Sequence, residues 1–208
     1  MSLARRPLKL EPQEASIHLV SPIANPCFLG LLAVVFFTIM AISVPQELNS
    51  LYLQNVQHIS IQQIGTMGTI ASIGTAIIMF ALGNLRVSTG MLIGQLLIAG
   101  FALLMWRGQS AIAYYVGYFF VAGYQLYRSM ALAFSRSLVK AGDTGLAYGL
   151  VETGNALAVV VAPLAAGFLY NYRPEAVYIA SLGALAITVG LNRLLFHEKR
   201  NEILPAQT

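Results

Sequence analysis

Residues 147–170, AYGLVETGNALAVVVAPLAAGFLY, form an apolar run of 24 residues that nonetheless carries Glu152 and Asn155 near its start. A helix rises 1.5 Å per residue, so about 20 apolar residues cover the roughly 30 Å of a bilayer's hydrocarbon core. The fold therefore turns on whether this carboxylate sits in a soluble core or at membrane depth.

Composition answers that first. Of 208 residues, 57% are hydrophobic and 10% charged, and the mean hydropathy is +0.70. A soluble domain carries about 25% charged residues, so this chain has too little polar surface to coat a globule in water. Six long apolar segments recur, at 26–53, 60–82, 90–106, 110–139, 144–170 and 175–196. The breaks between them, such as GNLRVST, RGQ, KAGD and NYRP, are short, and each of these four carries at least one charge. Short connections make successive helices antiparallel neighbours, and continuous apolar runs argue against an alternating transmembrane barrel. The expected fold is all-α and integral to the membrane: a six-transmembrane-helix bundle over 26–198, a polar cytoplasmic arm at 1–25 and a cytoplasmic tail at 199–208.

Cytoplasmic loops are enriched in Lys and Arg. One side of the expected topology holds Arg5, Arg6, Lys9, Arg86, Arg136, Lys140, Arg193, Lys199 and Arg200, and the other holds only Arg107 and Arg173. Both termini are therefore expected in the cytoplasm, with the bundle in the plasma (inner) membrane. The formal net charge of +4 follows from this asymmetry and implies no nucleic-acid partner. Arg5-Arg6 faintly resembles a twin-arginine export signal, but a full-length spanning segment follows in place of a short apolar core and cleavage site. The lone Cys27 has no intrachain partner, His18, His58 and His197 fall at or beyond membrane edges, and no Cys/His grouping has metal spacing. No cofactor, metal or enzymatic site is expected, since neither a nucleophile triad nor a phosphate-cradling loop is present.

The helices carry two kinds of stripe. In 144–170, Gly154, Ala158, Ala162 and Ala166 recur every fourth residue, and Gly145 and Gly149 form a G-x-x-x-G pair. Small residues let helices approach closely in lipid, where little hydrophobic force joins them. Tyr148, Glu152, Asn155, Val159 and Pro163 lie on a different stripe, about 120° around the helix. In 110–139, Tyr114, Tyr118, Gln125, Arg128 and Ser135 fall within about 100° of one another, with Tyr124 beside them. Arg128 is expected about 15 Å and Glu152 about 12 Å deep from the same membrane face. A charge at the bilayer centre costs roughly 2.5–3.5 kcal/mol even on the lenient insertion scale, so both should face the bundle interior, each other or a wet cavity. Two readings of Glu152 stand: it neutralises Arg128, or it lines an aqueous pathway. Arg128 has the further option of snorkelling to the headgroups. A third stripe, Ser43, Glu47, Ser50 and Gln54, follows Pro45 in the first segment, where Glu47 is either pathway-lining with Gln46 or solvated at the far interface. Tyr114, Tyr115, Tyr118 and Trp106 read as an interfacial aromatic belt.

With these residues in view, the chain resembles one six-helix half of a major facilitator superfamily (MFS) transporter. The segment around Gly149-Leu150-Val151-Glu152-Thr153-Gly154-Asn155 and Ala162-Pro163-Leu164-Ala165-Ala166-Gly167 is similar to the fifth helix of such a half. The stretch Gly83-Asn84-Leu85-Arg86-Val87-Ser88-Thr89-Gly90 keeps the spacing of the family's loop between the second and third helices. Gly83, Leu85 and Gly90 match it, whereas Val87 and Ser88 stand where an Asp and a basic residue are usual. SVPQELNSLYLQ, residues 43–54, looks like the end of a first helix. The polar arm and the degenerate loop make it most like a C-terminal half.

The resemblance implies two inverted three-helix repeats and a secondary transporter of a small solute working by alternating access, with substrate held between halves. A single half needs a second one, in a separate chain or as a self-dimer. Arg128 would then be a substrate or counter-charge site and Glu152 its partner or a proton-linked carboxylate. Gln125, Tyr124, Asn155, Glu47 and Gln46 would line the pathway. The alternative is a truncated remnant or a six-helix accessory membrane subunit that transports nothing.

Overall fold

The computed structural model describes residues 25–203, with side chains described for 25–194. The cytoplasmic arm expected at 1–25 lies, apart from Asn25, outside the described residues, as does the end of the expected tail. Seven α-helices and one 3-10 turn follow in order: α1 Pro26–Asn55, α2 Ile61–Leu82, α3 Val87–Arg107, α4 Ala111–Phe120, α5 Gly123–Arg136, the turn Ala141–Asp143, α6 Thr144–Tyr172 and α7 Ala176–Ile203. Five of these helices, α1, α2, α3, α6 and α7, are long and apolar enough to cross a membrane.

Side-chain caps start several of them. The Asn25 carboxamide accepts from the Cys27 N–H, Ser60 and Gln63 form a reciprocal capping box, and the Ser110 hydroxyl accepts from the Ala113 N–H. Each supplies a side-chain acceptor to a helix-start amide, worth about 1 kcal/mol apiece.

Five of the six apolar segments become single helices. The fourth, expected as one long helix over 110–139, is instead divided into α4 and α5. Val121 and Ala122 keep right-handed helical dihedrals, but their amides bond to carbonyls three residues back, Tyr118 and Phe119. The rod tightens there without reversing. The cause is a close crossing: a Cβ placed on Gly123 would lie 2.6 Å from the Gly94 carbonyl oxygen, and one on Gly94 would lie 2.9 Å from that of Gly123. Two glycines thus let α3 and α5 touch backbone to backbone. Together α4 and α5 still run the length of the bundle. Near the start of α4, Tyr115 meets Thr66 in the first turns of α2, and just past the end of α5 the Leu138 carbonyl accepts from Asn25 at the start of α1.

α1 is the central post, packed chiefly on α6 and α7, while α3 packs on α5, α4 and α7. The core lies in two clusters along the bundle axis. Phe28, Leu31, Ile39 and Ile42 of α1 meet Met91 and Ile98 of α3 and Leu126 and Tyr127 of α5. Toward the other end Tyr52, Phe101, Met105, Tyr114 and Tyr178 pack together. The small-residue ridge of α6 is used in part: Ala158, Ala162 and Ala166 are fully buried, whereas a Cβ on Gly145, Gly149 or Gly154 would meet nothing within 4 Å.

Pro45 lies inside α1. It has no N–H to give the carbonyl four residues back, Ala41. The Ser181 hydroxyl of α7 donates to that carbonyl at 2.5 Å. In hydrocarbon an unpaired backbone carbonyl is costly, so α7 completes the hydrogen bonding that proline removes from α1.

Candidate functional site

Tyr124 and Arg128 lie one turn apart on α5, and Glu152 and Asn155 lie three residues apart on α6, so each pair shares a helix face. Where α5 and α6 meet, the four side chains join. Arg128 Nη2 donates to Glu152 Oε2 at 2.8 Å, Asn155 Nδ2 donates to the same oxygen at 3.5 Å, and the Tyr124 hydroxyl donates to Asn155 Oδ1 at 3.3 Å. The side chains of Arg128 and Glu152 are 37% and 36% exposed. This is a surface-facing ion pair about two turns into α6 from its start. Arg128 extends to a carboxylate on the next helix. Its Nε is buried with no hydrogen-bond partner among the described residues, leaving one donor over.

The other expected residues fall elsewhere. Gln125 is half-buried on α5 and takes no part in that relay. Glu47 is exposed near the far end of α1, and Gln46 beside it is half-buried, with a buried Nε2 that finds no partner among the described residues. Ser43, of the same stripe, is buried in the bundle. Nor do the aromatic positions of the fourth segment form one stripe. Tyr114 is buried and donates to the Gly108 carbonyl, Tyr118 accepts from Asn49 of α1, and Ser135 bonds back to Leu132 within α5.

Two polar groupings were not singled out from the sequence. Asn49, 4% exposed, bridges helices: its amide donates to Tyr118 and its carbonyl oxygen accepts from Tyr178 of α7 at 2.7 Å. Deeper in the bundle, Gln95 of α3 donates to Thr38 of α1 and Thr188 of α7, and Tyr127 of α5 donates to Thr38. Asn192, one turn beyond Thr188, is fully buried. A lone Gln in the run MLIGQLLIAG was the available signal; Thr38, among phenylalanines and isoleucines, offered none. These groupings lock five helices, α1, α3, α4, α5 and α7, since interhelical hydrogen bonds replace the missing hydrophobic drive in lipid.

A profile of the Major Facilitator Superfamily matches residues 27–206. The chain belongs to the major facilitator superfamily. No curated protein and no solved structure matches it. Membership makes this an integral membrane protein of a transporter family, and its 208 residues fit the size of one half of the family's twelve-helix arrangement. In this MFS chain the loop of residues 83–90 ends in Gly90, where an added Cβ would lie 2.7 Å from the Met130 side chain. The match to the family's loop at that position thus serves the packing of α3 on α5.

Proposed function

We propose that this MFS chain is a secondary-active transporter of a small solute, or half of one, in which the Arg128–Glu152 pair lines the solute pathway. The observation that carries the reading is an ion pair within an apolar helix, about two turns from its start, that the chain's own helices leave more than a third exposed. Facing acyl chains, each charge would cost roughly 2.5–3.5 kcal/mol. Water or a second half over that face removes the cost. Tyr124 and Asn155 hold the carboxylate in place, and the exposed part of the Arg128 guanidinium is a donor for an anionic or carbonyl-bearing solute. Protonation of Glu152 would release the guanidinium, a coupling step available to a proton-linked carrier. Gln125, Gln46 and Glu47 complete the proposed polar lining.

On this reading α4 and α5 together make the fourth of six crossings, which puts both termini on the Arg- and Lys-rich cytoplasmic side of the plasma membrane. The arm at 1–25 and the tail at 199–208 are then cytoplasmic, and two inverted three-helix repeats make up 26–198. Alternating access needs a second half to rock against. The open faces of α2 and α6, each only 17% buried in its most apolar window, are where a separate half or a second copy fits.

The same open faces would serve an accessory membrane subunit with no transport of its own. Reconstitution separates the two. Vesicles containing the chain, alone and with a candidate amino-terminal half, are assayed for uptake of a panel of small polar solutes with and without a proton gradient. Uptake that Glu152→Gln and Arg128→Ala abolish supports the transporter. Uptake unaffected by both variants removes the pair from the pathway, and no uptake under any pairing leaves the accessory subunit.

A further inference from the structure

A cleft of about 230 Å³ opens between α1, α6 and α7, lined by Met40, Val44, Ala165, Leu169, Ala180 and Ala184. A second cleft, formed by Tyr172, Arg173, Glu175, Ala176 and Ile179, continues from it and shares Ala180. Ala176, Ala180 and Ala184 recur every fourth residue on one face of α7, so the two clefts are one groove. It begins at the turn between α6 and α7 and descends about 12 Å along the helix, most of the roughly 15 Å depth of one leaflet.

The groove changes character along its length. Its deep part is apolar, and its floor, Ala41 and Val44, is buried between the helices. Its mouth carries one positive and one negative side chain, Arg173 and Glu175, both exposed. Neither takes part in a salt bridge among the described residues. The Arg173 guanidinium lies 5.8 Å from the centre of the Tyr172 ring, a cation–π contact at the groove mouth.

The geometry points to a bound zwitterionic phospholipid at this groove, with one acyl chain between α6 and α7, its phosphate on Arg173 and its ammonium group on Glu175. A guanidinium matches a phosphate oxygen geometry. A carboxylate two residues away repels a purely anionic headgroup and attracts an amine. Three alanines on α7 leave the width that larger side chains would fill. The site is separate from the Arg128–Glu152 pair and holds whether or not the chain transports.

Native mass spectrometry of the full chain, purified in mild detergent and supplied with phosphatidylethanolamine or phosphatidylglycerol, tests this. One phosphatidylethanolamine per chain is expected to persist, with phosphatidylglycerol held roughly tenfold more weakly. Ala180→Leu, at the point common to both clefts, should abolish retention, whereas Ala186→Leu, exposed elsewhere on α7, should not. Arg173→Gln and Glu175→Gln lie at exposed positions; Glu175→Gln should erase the preference between the two lipids, whereas Arg173→Gln should weaken retention of both and leave the preference in place. Equal retention of both lipids by the unaltered chain, equal losses from the two alanine variants, or no retained lipid would each overturn the proposal.

Discussion

At the scale of single residues, the Arg128–Glu152 pair is where charge and membrane depth conflict. Removing one partner strands the other. For a fully buried pair that costs about 3–5 kcal/mol, and partial exposure reduces it here to about 1–3 kcal/mol. Glu152→Gln and Arg128→Gln should each lower the unfolding midpoint of the detergent-solubilised chain, and the double variant should recover part of the loss. An additive double variant would mean that the two charges do not depend on each other. Ser181 gives an independent prediction. Ser181→Ala leaves the Ala41 carbonyl without the donor that replaces the one lost at Pro45, a loss of about 1–3 kcal/mol. Combined with Pro45→Ala, which restores a backbone donor to the same carbonyl, the cost should largely vanish. A double-mutant cycle showing no coupling would contradict this account of the proline.

At the scale of helices, the glycine crossing of α3 and α5 sets how near the lower part of the fourth segment comes to the core. Gly123→Val forces its side chain into the Gly94 carbonyl and Leu97, so α3 and α5 must separate. Overpacking of that kind costs about 1–3 kcal/mol or more, and thermal unfolding should show it, while Gly149→Val, with open space around it, should be close to neutral. Equal effects would mean that the crossing is no tighter than an open helix face. The break beside Gly123 also marks where the sequence was legible and where it was not. Apolar length located the five segments that become single helices long enough to cross a membrane, because crossing hydrocarbon demands it regardless of partners. The division at Val121–Ala122 depends on how closely another helix approaches, which apolar length does not encode. On an unbroken helix Arg128 and Tyr124 share a face with Tyr114 and Ser135, but the structure turns those two to other partners. Glu152 and Arg128 were legible because a charge in an apolar run has few reasons to be there. Asn49 and Gln95 were not singled out, because an amide satisfied inside a bundle leaves the same trace as one that lines a pathway.

For the whole molecule, the distribution of burial is the informative quantity. α1 is 56% buried in its apolar window and α2 and α6 only 17%, so the bundle is finished around α1 and open along two other helices. On those open helices Gly65, Gly68, Gly145 and Gly149 have nothing within 4 Å of where a Cβ would stand. Unused glycines are not evidence of a partner by themselves, since lipid can cover them. The half-exposed ion pair beside α6 is harder to leave to lipid, and the two observations together favour a covering half over the α5–α6 face. With Cys27→Ser as background, Gly149→Cys should cross-link to a second copy or to a co-expressed half, and Ile187→Cys, on an exposed face of α7, should not. Asn155→Cys in the same background should react with a membrane-impermeant maleimide, because a wet crevice reaches it and acyl chains would not carry the reagent there. An Asn155→Cys variant silent to that reagent, with Gly149→Cys and Ile187→Cys cross-linking alike, would mean that the charged pair faces lipid and that the energetic case for a covered, hydrated face fails.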